Sequence, residues 1–414
     1  MNKNVPYYDL IVVGGGAAGF YGAIQAAEIH KGRKILILEK STKLLSKVRI
    51  SGGGRCNVTH HCYDAVKLSH HYPRGEKALR HVFKEYGASH TVAWFASKGV
   101  KLKVEEDGRM FPTTDDSQTI IDCFLEQAQR LAIDIAINEG VDAILRNQDA
   151  FEISTQKGKL YYASRVLITT GGNPKADGYR FIENLGHSIL PPIPSLFTFN
   201  DSEKKFTDLM GIAVPNAEVR IATTKLKNNG PLLITHWGLS GPAVIRLSAW
   251  AAEYLHSVNY AFTALVSWIG PTREETIRDF LQSLRASKPK QKVYGNPLFE
   301  LPQRLWVRLC DFAEIPENKV WGEISGKNLN KLLEYLIKCP FHIKGKTTFK
   351  EEFVTCGGVD LKEIELATME SRKVKGLFFA GEVLNIDGET GGFNFQAAWS
   401  TAYCAAKSSF SDKM

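Results

Sequence analysis

The 414-residue sequence contains no Cys-x-x-Cys pair, and its seven cysteines are an odd number without regular spacing. This excludes a disulfide framework and the common zinc modules, and it suits a reducing, cytoplasmic setting. Cys56, His60, His61 and Cys62 stand close together in the chain, but their spacing fits no common metal-binding module, so no metal is expected. Long apolar runs are also missing. The first one breaks into glycines at Gly14 and has neither an h-region nor a cleavage site. The stretch around 261–269 falls well short of the ~20 residues that a spanning helix needs. Neither an export signal nor a membrane span is expected. The chain has no low-complexity tract and no internal repeat, and the absence of a G-x-S-x-G elbow argues against a serine hydrolase.

The composition that is present, 44% hydrophobic and 23% charged, is that of a globular protein with a large core. At ~150 residues per domain, the length suggests about two or three domains. The charge of +8 is mild, but it is concentrated: residues 43–103 hold twelve Lys and Arg against three acids, a local +9. His70, His71, Tyr72, Phe83, Tyr86 and Trp94 are interleaved with these cations. That mixture suits phosphate tracking and base stacking on single-stranded RNA, and it equally describes solvated helix faces over core aromatics. A second cationic tract runs from Arg285 to Lys292.

Strand-like Tyr8–Val13, a glycine turn, a helix over 17–30 and a second strand over 34–38 form the start of a parallel sheet. Gly14-Gly15-Gly16-Ala17-Ala18-Gly19 is G-x-G-x-x-G between that strand and helix, and Glu39 follows at the end of the next strand. This is the Rossmann fingerprint. Gly14 makes the turn, Gly16 admits a pyrophosphate, Gly19 packs helix on strand, and Glu39 accepts ribose hydroxyls. Ala18 and Lys40 lie beside these contacts. After the strand over 165–169, Thr170-Gly171-Gly172 reads as another close approach of backbone to the dinucleotide.

After Pro191, Pro192 and Pro194, read as a break, β-like segments (218–223, 260–268) give way to amphipathic helices (273–284, 301–312, 329–337). Strands return at 354–359 and 376–380, followed by a long helix over 392–407. A nucleotide-binding domain built from both chain ends explains this order. It comprises 1–193 and 346–414, and the insertion divides into a β-rich part (194–270) and a helical part (271–345).

FAD and NAD share the fingerprint, and the C-terminal segment favours FAD. An apolar strand ends in Gly381-Glu382, where two-end flavoproteins hold the ribityl chain. Asp387 and Gly391-Gly392-Phe393-Asn394 then lead into a helix whose positive end suits the reduced flavin. No second G-x-G-x-x-G appears, so the chain is unlike two-nucleotide disulfide reductases, although NAD(P)H docking transiently as reductant is compatible.

With Ser51-Gly52-Gly53-Gly54-Arg55-Cys56-Asn57, His236-Trp237-Gly238-Leu239-Ser240-Gly241-Pro242 and Met369-Glu370-Ser371, these pieces resemble the BaiN/RdsA (YhiN-like) family of FAD-dependent oxidoreductases over nearly the whole chain. The resemblance implies an α/β, Rossmann-like two-end FAD domain with a β-barrel-like and helical insertion. It also implies FAD contacts at Gly14, Gly16, Gly19, Glu39, Gly54, Arg55, Gly172, Gly381, Glu382 and Asn394. The activity implied is reduction of carbon–carbon double bonds, with one branch resembling ribosomal RNA dihydrouridine synthases and another acting on bile-acid rings. From the residues, Cys56 is a candidate proton donor and His236 a candidate acid or substrate contact. A helix capped at Ser240 would account for that serine without any function. The functions carried forward are an rRNA uridine reductase, a reductase of a small enone or steroid-like ligand, and a flavin-bearing RNA-binding factor without turnover.

Overall fold

The computed structural model describes residues 5–147, 150–347 and 354–411. The chain divides into two compact units, Met1–Ser195 with Lys350–Met414, and Leu196–Phe349.

The first unit is a Rossmann-type α/β structure. Five parallel strands lie in the order Leu377–Phe379, Leu160–Ile168, Tyr7–Val13, Ile35–Leu38, Asp134–Ala136. Tyr7–Val13 and Ile35–Leu38 are apolar runs buried almost throughout, as central parallel strands covered on both faces must be. The C-terminal strand enters beside Leu160–Ile168, so residues from both chain ends share one sheet. The helices Ala17–Ile29 and Phe393–Ser408 pack closely because the contact is made of small residues. A Cβ on Gly22 would lie 3.6 Å from that of Ala402, and Trp399 anchors the second helix by donating to the Val58 carbonyl at 2.9 Å.

The prolines expected to break the chain lie inside a strand instead. Ile189–Ser195 pairs antiparallel with Val354–Val359, with a register irregularity between Leu190 and Ile193 where Pro191 and Pro192 fall. Proline cannot donate to a ladder, so a strand tolerates it at such an irregularity.

The second unit is a closed antiparallel barrel in the order Thr198–Asp201, Gly238–Ser240, Lys227–Ile234, Ala213–Ile221, Ala261–Ser267, Cys339–Thr347. The helices Glu274–Ser287, Gln303–Phe312 and Gly326–Ile337 pack in the same core, with Trp268, Trp306 and Trp321 fully buried. The helical part therefore does not run to 345 as expected. Cys339–Thr347 alternates buried Cys339, Phe341 and Ile343 with more exposed neighbours, and it closes the barrel between Ala261–Ser267 and Thr198–Asp201. No helix among the described residues is long and apolar enough to cross a membrane.

Candidate active site

Three glycines of the fingerprint do different work. Gly14 has φ +112°, and a Cβ there would sit 2.5 Å from the Thr169 carbonyl oxygen. A Cβ on Gly19 would fall 1.9 Å from the Gly14 oxygen, so the helix rests directly on the turn. At Gly16 an added Cβ would meet nothing within 4 Å, which leaves the space above it open to a ligand. The helix beginning at Ala17 has neither a side-chain cap nor an acid in its first turn. Its first N–H groups and the positive end of its dipole are thus available to an anion. Glu39 accepts from the N–H of Gly15 (2.8 Å) and of Ser41 (2.9 Å), which fixes a half-buried carboxylate with lone pairs to spare for a diol. Lys40 beside it is exposed.

Thr170-Gly171-Gly172 and Gly381-Glu382 come together next to this turn. Glu382 accepts from Lys47 Nζ (2.7 Å) and from the N–H of Thr355 (2.8 Å). A Cβ on Gly172 would meet both Thr355 (2.6 Å) and Glu382 (2.8 Å), and one on Gly381 would meet Ala18 (2.9 Å). The buried hydroxyl of Thr355 has no hydrogen-bond partner among the described residues. An orphaned hydroxyl beside a carboxylate, a lysine and bare glycine backbone suits a polyol phosphate chain. These residues fit FAD.

The Ser51–Asn57 string ends a short helix in a series of left-handed glycines: φ is +59° at Gly52, +69° at Gly53 and +86° at Gly54. Gly53 and Gly54 have no neighbour within Cβ reach. Arg55 is held by Glu105 (2.6 Å) and Asp115 (3.5 Å), with its guanidinium 3.9 Å above the Phe111 ring. Buried Asn57 turns its amide oxygen to the N–H of Gly392 (2.9 Å) and its nitrogen to the Thr59 carbonyl (3.1 Å), joining this string to the C-terminal block.

Three expectations are corrected here. The Cys56 side chain has no accessible surface, and burial pushes its thiol up to about 12. A thiol without accessible surface does not reach a substrate, and it acts as a small packing group. Asp387 is also fully buried. It forms a double hydrogen bond with Arg74 (2.6 Å for the Nε contact) and accepts from Ser195 (2.8 Å), so both oxygens are engaged inside the protein. Burial raises its carboxyl above the usual range, against the pull of Arg74 and Ser195. Phe393, 2% exposed, packs against two imidazoles, with centroids 4.6 Å from His60 and 4.2 Å from His71, and the two imidazoles stand 6.0 Å from each other. Its ring is buried and orients these histidines. The Asn394 amide is occupied by the Gly388 main chain at 2.8 and 3.0 Å, which leaves its own N–H for an outside contact.

That ring cluster exposes what the sequence reading missed. His71 Nδ1 lies 3.2 Å from Glu389 Oε2, the Glu389 side chain is largely buried, and the imidazole is 37% exposed. With Nδ1 taken by the carboxylate and the ring stacked at 12° on Phe393, Nε2 is the atom left to exchange a proton. Glu389 stands between the quoted Asp387 and Gly391, and its acidic type was the available signal. Lys47 and Thr355 gave none.

His236 lies in the second unit. It is exposed, with its ring edge-on to Trp237 at 4.2 Å, and Trp237 donates to Thr198 (3.0 Å). The following helix begins at Pro242 with Gly241 as its N-cap, and Ser240 ends a strand instead of capping a helix. Among the described residues no group of three or more His, Cys, Asp or Glu side chains is arranged to hold a metal. A cleft of about 650 Å³ is lined by Gly75, Lys77, Lys362 and Arg372 among others and includes none of the fingerprint residues.

The family described as HI0933-like protein Rossmann domain matches residues 8–408. A ribosomal RNA dihydrouridine synthase of Haemophilus influenzae is 28% identical, over 97% of this chain and 98% of its own. A 3-dehydro-bile acid delta(4,6)-reductase of Clostridium scindens is 26% identical, over 96% of this chain and 97% of its own. Among solved structures, a 3-ketosteroid-delta4-(5alpha)-dehydrogenase of Rhodococcus jostii shares the fold, with a TM-score of 0.51 and 12% identity over 98% of each chain.

Proposed function

Because the chain belongs to the HI0933-like Rossmann family and is an FAD-dependent oxidoreductase, we propose that it reduces a carbon–carbon double bond, and that the substrate is uridine in ribosomal RNA. The observation carrying the substrate is near full-length similarity, 28% identity over 97% of the chain, to a protein named for that reaction.

When bound, reduced FAD supplies the hydride for one carbon of the uracil C5=C6 bond, and the neighbouring carbon takes a proton. The residues fitted to hold it are Gly14, Gly16 and the helix N-terminus at the phosphates, Glu39 at the ribose, and Gly172, Thr355 and Glu382 at the polyol chain. Arg55 and the open backbone at Gly54 are proposed to flank the cofactor. His71 is the proton donor in this reading: Glu389 and Phe393 hold its ring, and Nε2 presents the proton. The His71→Asn variant should keep its flavin and lose about a hundredfold or more in the rate of substrate reduction. Unchanged turnover would remove His71 from this role. His236 is proposed as a substrate contact.

A stacked base cannot offer its face to a flavin, so the target uridine must be unpaired or flipped out. NAD(P)H is the proposed transient reductant. A cytoplasmic location belongs to the same reading and is supported by seven free cysteines.

Deleting the gene and mapping dihydrouridine in ribosomal RNA tests the proposal. It predicts loss of a site that the wild-type gene restores, and an unchanged map would overturn it. The alternative of a small enone or steroid-like substrate draws support from the bile-acid reductase relative at 26% identity. It predicts an unchanged map, with turnover on a soluble enone. A flavin-bearing RNA-binding factor would bind RNA and leave its flavin reduced.

A further inference from the structure

The fold pairs half of the cations of the basic stretch 43–103 with acids. Six of its twelve cations are ion-paired: Lys47 with Glu382, Arg55 with Glu105, Arg74 with Asp387, Arg80 with Glu76, Lys98 with Glu28 and Lys103 with Asp115. The partners lie mostly outside the stretch, which is why it read as uncompensated. The second tract behaves differently. Residues 285–299 contain Arg285, Lys288, Lys290 and Lys292 and no acid, and among the described residues none of the four is ion-paired.

Two aromatic side chains stand beside these cations. Phe280 is 40% exposed and Phe299 37% exposed, with their rings 5.2 Å apart at 50°. Phe280, Ser283 and Ser287 follow at helical steps along one exposed face of Glu274–Ser287, and that face ends at Lys288. Phe299 is delivered back to it by a loop in which Phe299 and Glu300 both take φ +57°, a conformation costly for bulky residues.

The loop is anchored to its own unit. Val293 is fully buried, its N–H donates to Lys319 (3.0 Å), and its carbonyl accepts from the buried Trp306 indole (2.9 Å). The N–H groups of Trp321 and Gly322 donate to Gln291 (3.0 Å) and Pro289 (2.9 Å). Cations and rings are therefore presented on a built surface.

We propose that the end of helix Glu274–Ser287 and the loop 288–299 form a binding surface for single-stranded RNA, with Arg285, Lys288, Lys290 and Lys292 on phosphates and the Phe280–Phe299 pair stacking an unpaired base. Unpaired cations supply the charge complementarity to a polyanion. Exposed aromatic rings favour a strand whose bases are free to stack, over a duplex or an acidic protein. The proposal rests on the RNA substrate reading above.

The test uses the full-length flavoprotein and a fluorescein-labelled oligouridylate, followed by anisotropy across a salt series. Replacing Lys288, Lys290 and Lys292 together by Gln should weaken binding and make the slope of log affinity against log salt shallower by about 2. Phe280→Ala should weaken binding by about tenfold with the slope unchanged, and Phe280→Tyr should restore it. All the altered side chains are exposed, and retained FAD with an unchanged melting temperature verifies that the variants fold. Wild-type affinity and slope in both the Lys and the Ala variants would overturn the proposal, as would equal binding of a duplex or equal displacement by oligoglutamate. The dihydrouridine map separates the two claims: a map that depends on the gene, combined with variants that bind normally, defeats this surface alone.

Discussion

At the scale of single residues, the fingerprint separates folding from binding. Gly14 and Gly19 are needed by the protein itself, since a Cβ at either would strike the main chain, whereas the space at Gly16 is open to a ligand. Gly16→Val should leave stability within about 0.5 kcal/mol and abolish most FAD binding, while Gly14→Ala should cost about 1–3 kcal/mol through its +112° backbone as well as cofactor. Flavin absorbance and urea unfolding of the two purified variants check this; a Gly16→Val protein that retains its flavin would contradict it. The glycine pattern and Glu39 were legible because local spacing encodes them. Cys56, Asp387 and Phe393 were misread because residue type does not reveal burial. Asp387 meets Arg74 and Glu389 meets His71 across 313 and 318 residues, separations over which spacing carries no information.

At the scale of elements, the strands and helices that frame the dinucleotide fold and the three helices of the insertion were legible from period and turn residues, whereas Gln118–Arg130, Lys227–Ile234 and Pro242–Trp250 were not read. Two misassigned segments have physical causes. The prolines of Ile189–Ser195 hid a strand that accepts them at an irregularity. The alternation of Cys339–Thr347 was present, but it followed directly on a helical run and was absorbed into it. A cluster around Glu363 ties the segment preceding Ile189–Ser195 to Glu370–Ser371. His187 contacts Glu363 (3.0 Å) and Ser371 (2.9 Å), and Lys373 (2.6 Å) and the N–H of Ser188 (3.0 Å) also reach Glu363. Burial acts to raise the Glu363 carboxyl, but the hydrogen bonds from Lys373, Ser188 and His187 outweigh it and hold it at about 2, below its ordinary 4.5. Burial lowers His187 from its ordinary 6.5. Both groups bind fewer protons in the folded state than in the unfolded one, so stability is lost as the pH falls, first below 6.5 through His187 and then between 4.5 and about 2 through Glu363. Glu363→Gln should cost about 1–3 kcal/mol at neutral pH, and its melting curve should converge on the wild type below pH 4.5. A constant difference across the acid range would contradict this account.

At the scale of the whole molecule, the sequence shows where charge lies along the chain, and the fold decides which of it stays free. Six of the twelve cations of the +9 stretch are paired, with acids drawn mostly from elsewhere, whereas among the described residues none of the four cations of the shorter tract at 285–292 is. The two-end sheet was legible because a C-terminal apolar strand ending in Gly-Glu has few uses other than to complete a dinucleotide fold, and here it pairs in parallel with Leu160–Ile168. The substrate was not legible, because one fold and cofactor serve many acceptors. The central claim is that reduced flavin in this protein transfers hydride to uridine in RNA. A single-turnover experiment tests it most directly: the holoprotein is reduced, freed of reductant and mixed anaerobically with ribosomal RNA from a strain lacking the gene. Reoxidation of the flavin with formation of about one dihydrouridine per flavin is the predicted result. Flavin that stays reduced in the presence of that RNA, and is reoxidised by a soluble enone instead, would contradict it.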